Sequence, residues 1–115
     1  MFKYIKTLFI LLILSVSIPI NAEQIQSLKE YFEYLPNEVH KNWIPYKSEK
    51  EYSVVIQFRV NKKGEISNPE IVSSTNKYAN DSVLKAVKKG APYLPLPDSF
   101  LMDSVKAQVE LRYIK

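Results

Sequence analysis

The side chains that usually carry out catalysis are scarce in this chain, whose 115 residues include one histidine and no cysteine. His40 therefore cannot form a histidine pair, and Glu38, two residues earlier, would point to another face of a helix. Asp98 and Asp103 stand next to serines, but without a neighbouring base they indicate turns and caps. No G-x-S-x-G, P-loop or H-E-x-x-H motif occurs. We therefore expect no enzyme, no cofactor and no metal site.

The main chain offers a different chemistry near the C-terminus. In "VKAQVELRYIK" apolar and polar residues alternate, which predicts a β-strand with one buried and one exposed face. At the edge of a sheet, the unpaired N–H and C=O groups of such a strand can receive an extended peptide. The candidate partner-binding residues are Val105, Lys106, Ala107, Gln108, Val109, Glu110, Leu111, Arg112 and Tyr113. Their polar side chains could alternatively keep an idle edge from pairing with anything.

A predicted β-hairpin must position this strand. Tyr52 to Val60 alternates between apolar and more polar residues and is predicted as strand β1. The turn is Asn61 to Gly64, because a glycine there can adopt the positive φ that closes a hairpin. The return strand β2, Glu65 to Ser74, contains Pro69, which cannot donate to a ladder and so predicts an edge or a bulge. β1 is then central, and Val105 to Tyr113, β3, forms the other edge.

Two helices are predicted to cover the sheet. The first follows Ser27, whose side chain can cap it, and its apolar residues recur at spacings of three and four. Pro36 is expected to interrupt it and to start a second helical piece, Asn37 to Trp43. The other helix follows Asn80 to Ser82, three possible capping side chains, and ends at Gly90. The predicted fold is α+β: a three-stranded antiparallel sheet, order β2-β1-β3, with two helices packed on one face.

Residues 1–22 predict a secretory signal, whose removal leaves a domain of residues 23–115. Lys3 and Lys6 precede the apolar run Leu8 to Leu14, and Ala22 is a small residue at a possible cleavage point. The alternative is retention as a short membrane anchor, and membrane contact is expected only in that case. Cleavage lowers the net charge from +4, and no long basic run remains, so nucleic acid is not an expected partner. The lack of cysteine fits a bacterial envelope compartment.

Several segments, in this order, resemble the C-terminal domain of the TonB/TolA family, the periplasmic ends of bacterial energy transducers. The similarity runs from about Val39 to Tyr113. It is carried by "NWIP", "VVIQFRVNKKGEI", "EIVSST", "NDSVLKAV", "APYLPLP" and the closing strand. The resemblance implies the α+β fold given above. It also implies a binding mode, because the last strand is the one that receives a partner's segment in this family.

The N-terminal part departs from the full transducers of this family, which carry a membrane helix bearing histidine and a long linker. No histidine lies in the apolar segment here, and only Glu23 to Gln26 separate Ala22 from the first cap. Four extended residues reach about 14 Å, which is too short to cross the periplasm. The resemblance therefore implies a fold and a binding mode, and force transmission is not carried over.

The sequence is compatible with three functions. The leading hypothesis is a periplasmic TonB/TolA-like module that accepts an extended segment of an envelope protein by strand addition along β3, with a possible link to energy-dependent transport across the envelope. A second is self-association, in which the same edge pairs with a second copy in a homodimer. A third is an energy transducer anchored in the inner membrane, with the N-terminal segment retained. The sequence leaves the partner and the oligomeric state open.

Overall fold

Strand β1, Tyr52–Asn61, lies at the centre of the sheet in the computed structural model, which describes residue 25 and residues 27–115. Its residues alternate between buried and half-buried, as the period-two pattern predicts. The buried residues form one wall of the core, and the others face the open side of the sheet. The predicted signal or anchor segment, residues 1–22, lies outside the described residues.

Two antiparallel strands flank β1. Strand β2 is Ile66–Ser74, and strand β3 is Ser104–Tyr113. The strand order is β2-β1-β3, which confirms the prediction. The bounds of all three strands agree with the predicted ones to within one residue.

The edge formed by β2 is irregular. Gly64 closes the hairpin turn with φ of 86°, and Asn68 has φ of 53°. The pairing of β2 with β1 shifts register twice, once on each side of the Ile56–Gln57 pair of β1 residues. The second shift lies opposite Asn68 and Pro69, so β2 is at an edge and bulged as well. Both expectations from Pro69 are confirmed.

Helix α1, Leu28–Lys41, begins where the sequence predicts. The Ser27 hydroxyl oxygen accepts a hydrogen bond from the N–H of Glu30 at 3.1 Å. This bond satisfies one of the first-turn N–H groups that have no partner inside the helix.

The predicted break in this helix is wrong. Helix α1 continues through Pro36 to Lys41, so the separate helical piece Asn37 to Trp43 does not form. A proline inside a helix removes one main-chain hydrogen bond and disfavours the helix locally. Helical stability in proteins comes chiefly from packing of an apolar face, and α1 keeps one continuous face buried across the proline. The buried residues of that face are Tyr31, Leu35 and Val39.

Helix α2, Asn80–Gly90, follows directly from a short 3-10 turn, Lys77–Ala79. Its predicted end at Gly90 is confirmed, whereas the predicted caps Asn80 to Ser82 are wrong. The residue before α2 is Ala79, and no side chain caps the helix. The capping residue is Asn76 at the start of the 3-10 turn, whose side chain accepts a hydrogen bond from the N–H of Tyr78 at 3.0 Å. Because the turn runs straight into α2, the two segments share a single capped beginning.

The proline-rich loop that leads from α2 to β3 is attached to three parts of the fold. Tyr93 donates its N–H to the carbonyl of Gly64 at 2.8 Å and its hydroxyl to the carbonyl of Val87 at 2.7 Å. The Leu94 carbonyl accepts from the hydroxyl of Tyr31 at 2.6 Å, and its N–H donates to the hydroxyl of Tyr34 at 2.9 Å. The loop therefore connects the hairpin turn, α2 and α1, and Tyr93 is buried within it.

Both helices pack on the same face of the sheet, where one apolar core forms between the two layers. No buried residue of this core, within the described part of the chain, is polar or charged by type. In residues 25 and 27–115 there is no helix with the length and hydrophobicity needed to cross a membrane. The core residues with essentially no exposure are Tyr31, Val39, Val54, Ile56, Phe58, Val60, Ala79, Val83, Val87 and Leu111.

Candidate functional site

The two edges of the sheet differ in regularity. Strand β3 pairs with β1 through ten consecutive residue pairs, from Ser104 to Tyr113, without a register shift. Strand β2 has two register shifts and contains Pro69, which has no N–H to donate. No other strand of the described chain lies beyond β3. Of the two edges, β3 is therefore the one whose geometry allows the ladder to be extended.

The hydrogen bonds of β1 determine which main-chain groups of β3 point outward. The Ser53 carbonyl accepts from Thr75 at 3.0 Å, and the Asn61 N–H donates to Glu65 at 2.9 Å, so these β1 residues bond toward β2. In a strand, main-chain groups alternate between the two neighbours, and the even-numbered residues of β1 therefore bond toward β3. The bond from the Lys62 N–H to the Asp103 carbonyl, 3.1 Å long, follows the same alternation.

The partners of those even-numbered residues are the odd-numbered residues of β3, which thus use their N–H and C=O groups within the sheet. The even-numbered residues direct theirs away from β1, toward the open edge. They also carry the exposed side chains of the strand. Ser104 is half-buried, and the residues that combine outward main-chain groups with exposed side chains are Lys106, Gln108, Glu110 and Arg112.

The nine predicted site residues consequently divide into two groups. Ala107, Val109 and Leu111 are buried on the helix side of the sheet, where they belong to the core. Val105 and Tyr113 are half-buried, and the Tyr113 ring stacks on that of Tyr52 at 5.0 Å. The outward group alone offers both side chains and main-chain donors to a partner. Whether a partner binds there stays a prediction.

The open face of β3 is charged unevenly. Near its start, Lys106 lies directly across from Arg59 of β1. The Arg59 guanidinium donates two hydrogen bonds, of 2.8 and 3.1 Å, to the hydroxyl of Ser104. Near its end, Glu110 and Arg112 approach each other at 4.0 Å. The first half of the strand is therefore cationic and the second half close to neutral.

Exposed apolar side chains lie before the beginning and after the end of β3, and the sequence pattern did not predict them. Leu101 and Met102 precede it with exposures of 89% and 64%, and Ile114 follows it with 70%. The last residue, Lys115, folds back toward the start of β1, since its N–H donates to the carboxylate of Glu51 at 3.2 Å. The sequence signal for this feature is an apolar pair, Leu101 and Met102, separated by Asp103 from a strand with alternating polar residues.

The family model described as TonB C terminal matches residues 28–109 of this chain, which covers α1, all of the hairpin, α2 and most of β3. The chain belongs to the TonB C-terminal domain family. It is thus a TonB-like envelope domain, and the family predicted from the sequence motifs is confirmed. No curated protein shows significant sequence similarity to it.

Two solution NMR structures of the Helicobacter pylori TonB C-terminal domain share the fold of this domain. The shorter segment is 19% identical, with a TM-score of 0.57, and the match covers 73% of this chain and 92% of that one. The longer segment is 21% identical, with a TM-score of 0.60, and the match covers 81% and 88%. At these identities the likeness establishes the α+β architecture alone.

A cleft of about 400 Å³ lies between α2 and the segment that follows α1 in this TonB-family domain. Its exposed aromatic rings, Tyr46 and Tyr78, stack at 6.4 Å beside Ile44, which is 75% exposed. The ion pair between Lys85 and Asp81, at 3.0 Å, lies on its rim. The sequence pattern did not predict this cleft.

The structure defines the surroundings of His40 and of two buried tyrosines. His40 is exposed, and its Nδ1 lies 2.8 Å from the carbonyl of Pro36. Burial, and then the neighbouring tyrosines, raise the pKa of Tyr31, and burial likewise raises that of Tyr93. Both phenols therefore act as neutral hydrogen-bond donors that hold the loop. No cluster of three or more His, Asp or Glu residues that could hold a metal ion occurs within the described chain.

Proposed function

We propose that this domain is a periplasmic protein-binding module, which accepts an extended segment of an envelope protein as a fourth strand along β3. The observation that carries the proposal is the contrast between the two edges: β3 is regular along ten residue pairs, and β2 is bulged at Pro69. Every second residue from Lys106 to Arg112 offers its N–H and C=O groups outward, at the spacing that an added strand requires. The proposal includes a role in energy-dependent transport across the envelope, because the chain belongs to the TonB family.

The exposed apolar side chains beside β3 support the same surface. Leu101, Met102 and Ile114 lie beyond its two ends, and more than half of the surface of each residue is exposed. A bound segment longer than the strand would reach these side chains at both ends.

Proline substitution tests strand addition directly. Gln108→Pro and Glu110→Pro each remove an outward N–H and leave the bonds between β1 and β3 in place, since these residues do not donate to β1. We expect each variant to bind a partner peptide about fivefold more weakly, because every lost main-chain bond contributes roughly 1 kcal/mol. Amide chemical-shift titration with synthetic peptides from envelope proteins measures the affinity.

The matched controls are Gln108→Ala and Glu110→Ala, which change the same side chains and keep the N–H. They should retain affinity to within about threefold, whereas Val109→Pro should unfold the protein, because its N–H bonds to β1. Full binding by both proline variants at Gln108 and Glu110 would show that the partner does not add as a strand at β3.

A homodimer is the second candidate, and the charge order along β3 favours it. If two copies pair antiparallel about Gln108, Lys106 of each lies opposite Glu110 of the other. Both residues direct their main-chain groups outward, so this register allows hydrogen bonds between the two strands and also places opposite charges together. Opposite charges facing each other across a sheet contribute roughly 0.2–1 kcal/mol per pair.

Sedimentation velocity at micromolar concentration separates the two candidates. A monomer leaves β3 available to a peptide, whereas a stable dimer occupies it. If a dimer forms through β3, Lys106→Glu should dissociate it by placing like charges opposite each other, and the double change Lys106→Glu with Glu110→Lys should restore it. A dimer that tolerates the single change uses another surface.

The periplasmic location rests on the predicted signal in residues 1–22. Mass spectrometry of the protein isolated from cells gives its first residue. A chain that starts at Glu23 supports export with cleavage and excludes a retained inner-membrane anchor. A chain that keeps Phe2 to Ile20 makes the anchored transducer the correct reading.

A further inference from the structure

Two cations lie side by side at the beginning of the β3 edge. Arg59 of β1 lies directly opposite Lys106 of β3. The main-chain groups of the two residues form no hydrogen bond with each other, because those of Arg59 point toward β2 and those of Lys106 point outward. Such a non-hydrogen-bonded pair brings side chains closer than the hydrogen-bonded kind, with Cα atoms about 4.5 Å apart. Like charges placed opposite each other across a sheet are destabilising. The fold therefore keeps two positive charges together at a cost in stability.

No acidic side chain of the described residues compensates this pair. The ion pairs of the domain involve Lys41, Lys85 and Arg112, and none of them reaches Arg59 or Lys106. Glu70, on the same face of β2, is hydrogen-bonded to Gln57 at 3.4 Å. The positive charge at the start of β3 thus remains available to an outside group.

The guanidinium of Arg59 is held in position toward the edge. Both of its hydrogen bonds go to the hydroxyl of Ser104, the first residue of β3, so the group leans from β1 onto the outer strand. A guanidinium has five N–H donors, and two are used here. The remaining donors have no partner in the described chain, and the planar arrangement of an arginine suits a carboxylate.

We propose that Arg59 and Lys106 recognise a carboxylate of the incoming segment and so determine its register on β3. This inference rests on the proposed function and names its partner more narrowly: an extended segment with Asp or Glu at the position opposite Lys106. The main-chain groups of Lys106 point outward, so the residue opposite forms a hydrogen-bonded pair with it, on the same open face. A carboxylate at that position contacts Lys106, and Arg59 lies next to Lys106 on the same face of the sheet.

The rest of the strand explains why one position is selected. Glu110 and Arg112 lie 4.0 Å apart and partly neutralise each other, and Gln108 carries no charge. An acidic residue opposite either Gln108 or Glu110 contributes less binding free energy than one opposite Lys106. Because a strand shifted by one residue presents its other face, a single well-placed carboxylate is enough to determine the register.

A library of displayed random eight-residue peptides, selected on the purified protein, tests the inference. The expected result is one position enriched in Asp and Glu, within peptides whose binding is lost in Gln108→Pro. Selection on Lys106→Glu should replace that preference by Lys and Arg at the same position. Lys106→Glu also removes the like-charge pair, so its thermal midpoint should equal or exceed that of the unchanged protein, which excludes misfolding as the cause.

A double-mutant cycle on one selected peptide gives the magnitude. Replacing its acidic residue by Gln should weaken binding about tenfold to the unchanged protein and less than twofold to the double variant Arg59→Gln with Lys106→Gln. Lys88→Gln is the matched control, since it removes one exposed positive charge from α2, outside the edge. It should leave the tenfold difference intact.

The failures of the two proposals are distinguishable. If peptides bind and respond to Gln108→Pro but show no acidic preference, or keep that preference in Lys106→Glu, strand addition stands and carboxylate recognition is overturned. If no selected peptide responds to Gln108→Pro, strand addition itself fails, and the inference that rests on it fails with it. In that case the two cations serve to keep the edge unpaired.

Discussion

Gly64 shows how a single residue holds two segments in contact. Its φ of 86° lies in a region that L side chains rarely adopt. A Cβ atom at this position would lie 1.9 Å from the carbonyl oxygen of Tyr93, which belongs to the backbone and cannot rotate away. The hairpin turn and the loop to β3 therefore approach closely only because this residue has no side chain.

We expect Gly64→Ala to lower the free energy of unfolding by about 2–4 kcal/mol, since it combines backbone strain with a steric clash. Urea denaturation followed by circular dichroism measures the change. Gly90→Ala is the matched control, because its Cβ would meet the Tyr93 hydroxyl at 2.7 Å, a side-chain group, without a positive φ. Equal losses from the two changes would contradict the assignment of strain to Gly64.

At the scale of a single element, β3 combines two kinds of residue in one strand. The odd-numbered residues use their main-chain groups to bond to β1 and their side chains to fill the core. The even-numbered residues do neither, which leaves them available for recognition. A strand of this kind can be altered at its outer residues without loss of the fold.

Hydrogen exchange followed by NMR should reveal this division. We expect the amides of Ala107, Val109 and Leu111 to exchange slowly and those of Gln108 and Glu110 to exchange at least about tenfold faster. The same contrast should persist on dilution. Uniform protection along β3 would mean that its edge is already occupied, as in a homodimer, and the addition of a partner peptide should produce that uniform protection.

At the scale of the whole molecule, tyrosine hydroxyls connect the layers. Tyr31 of α1 donates to the loop carbonyl of Leu94, and Tyr93 of that loop donates to α2. The rings of Tyr31 and Tyr34 lie 5.5 Å apart, and those of Tyr34 and Tyr93 lie 6.4 Å apart. Burial raises the pKa of all three phenols above the ordinary value of 10.0, so the folded protein resists their ionisation.

This cluster predicts a loss of stability at high pH. The unfolded chain releases the phenolic protons near pH 10, whereas the folded protein retains them, so the folded state binds more protons and the free energy of unfolding falls as the pH rises above about 10. Denaturation midpoints between pH 8 and 11 should decline, and Tyr31→Phe should make the decline shallower. Lysines also titrate in this range, so the difference between the two proteins is the relevant quantity. An identical decline in both would contradict the burial of a neutral Tyr31.

The alternation of side chains was sufficient to predict β1 and β3 from the sequence, because a strand exposes its two faces with a period of two residues. Pro69 was sufficient to place β2 at a bulged edge, since a residue without an N–H cannot lie inside a ladder. Those local rules together predicted the strand order, and with it the position of the candidate site.

Other features depend on competition between distant parts of the chain. Pro36 would end a helix by its local chemistry, yet the buried face of α1 outweighs it. Asn80 and Ser82 could each cap a helix, but a 3-10 turn precedes α2, and Asn76 caps that turn.

Side-chain period and one proline are enough to predict that Val105 to Tyr113 is an edge strand with a polar face. The outward direction of the main-chain groups of Lys106, Gln108, Glu110 and Arg112 could not be predicted in this way, because it depends on the pairing register with β1. The same pairing placed Arg59 across from Lys106, forty-seven positions away in the chain. Local pattern predicts which element forms, and contacts between distant residues decide what its free groups can bind.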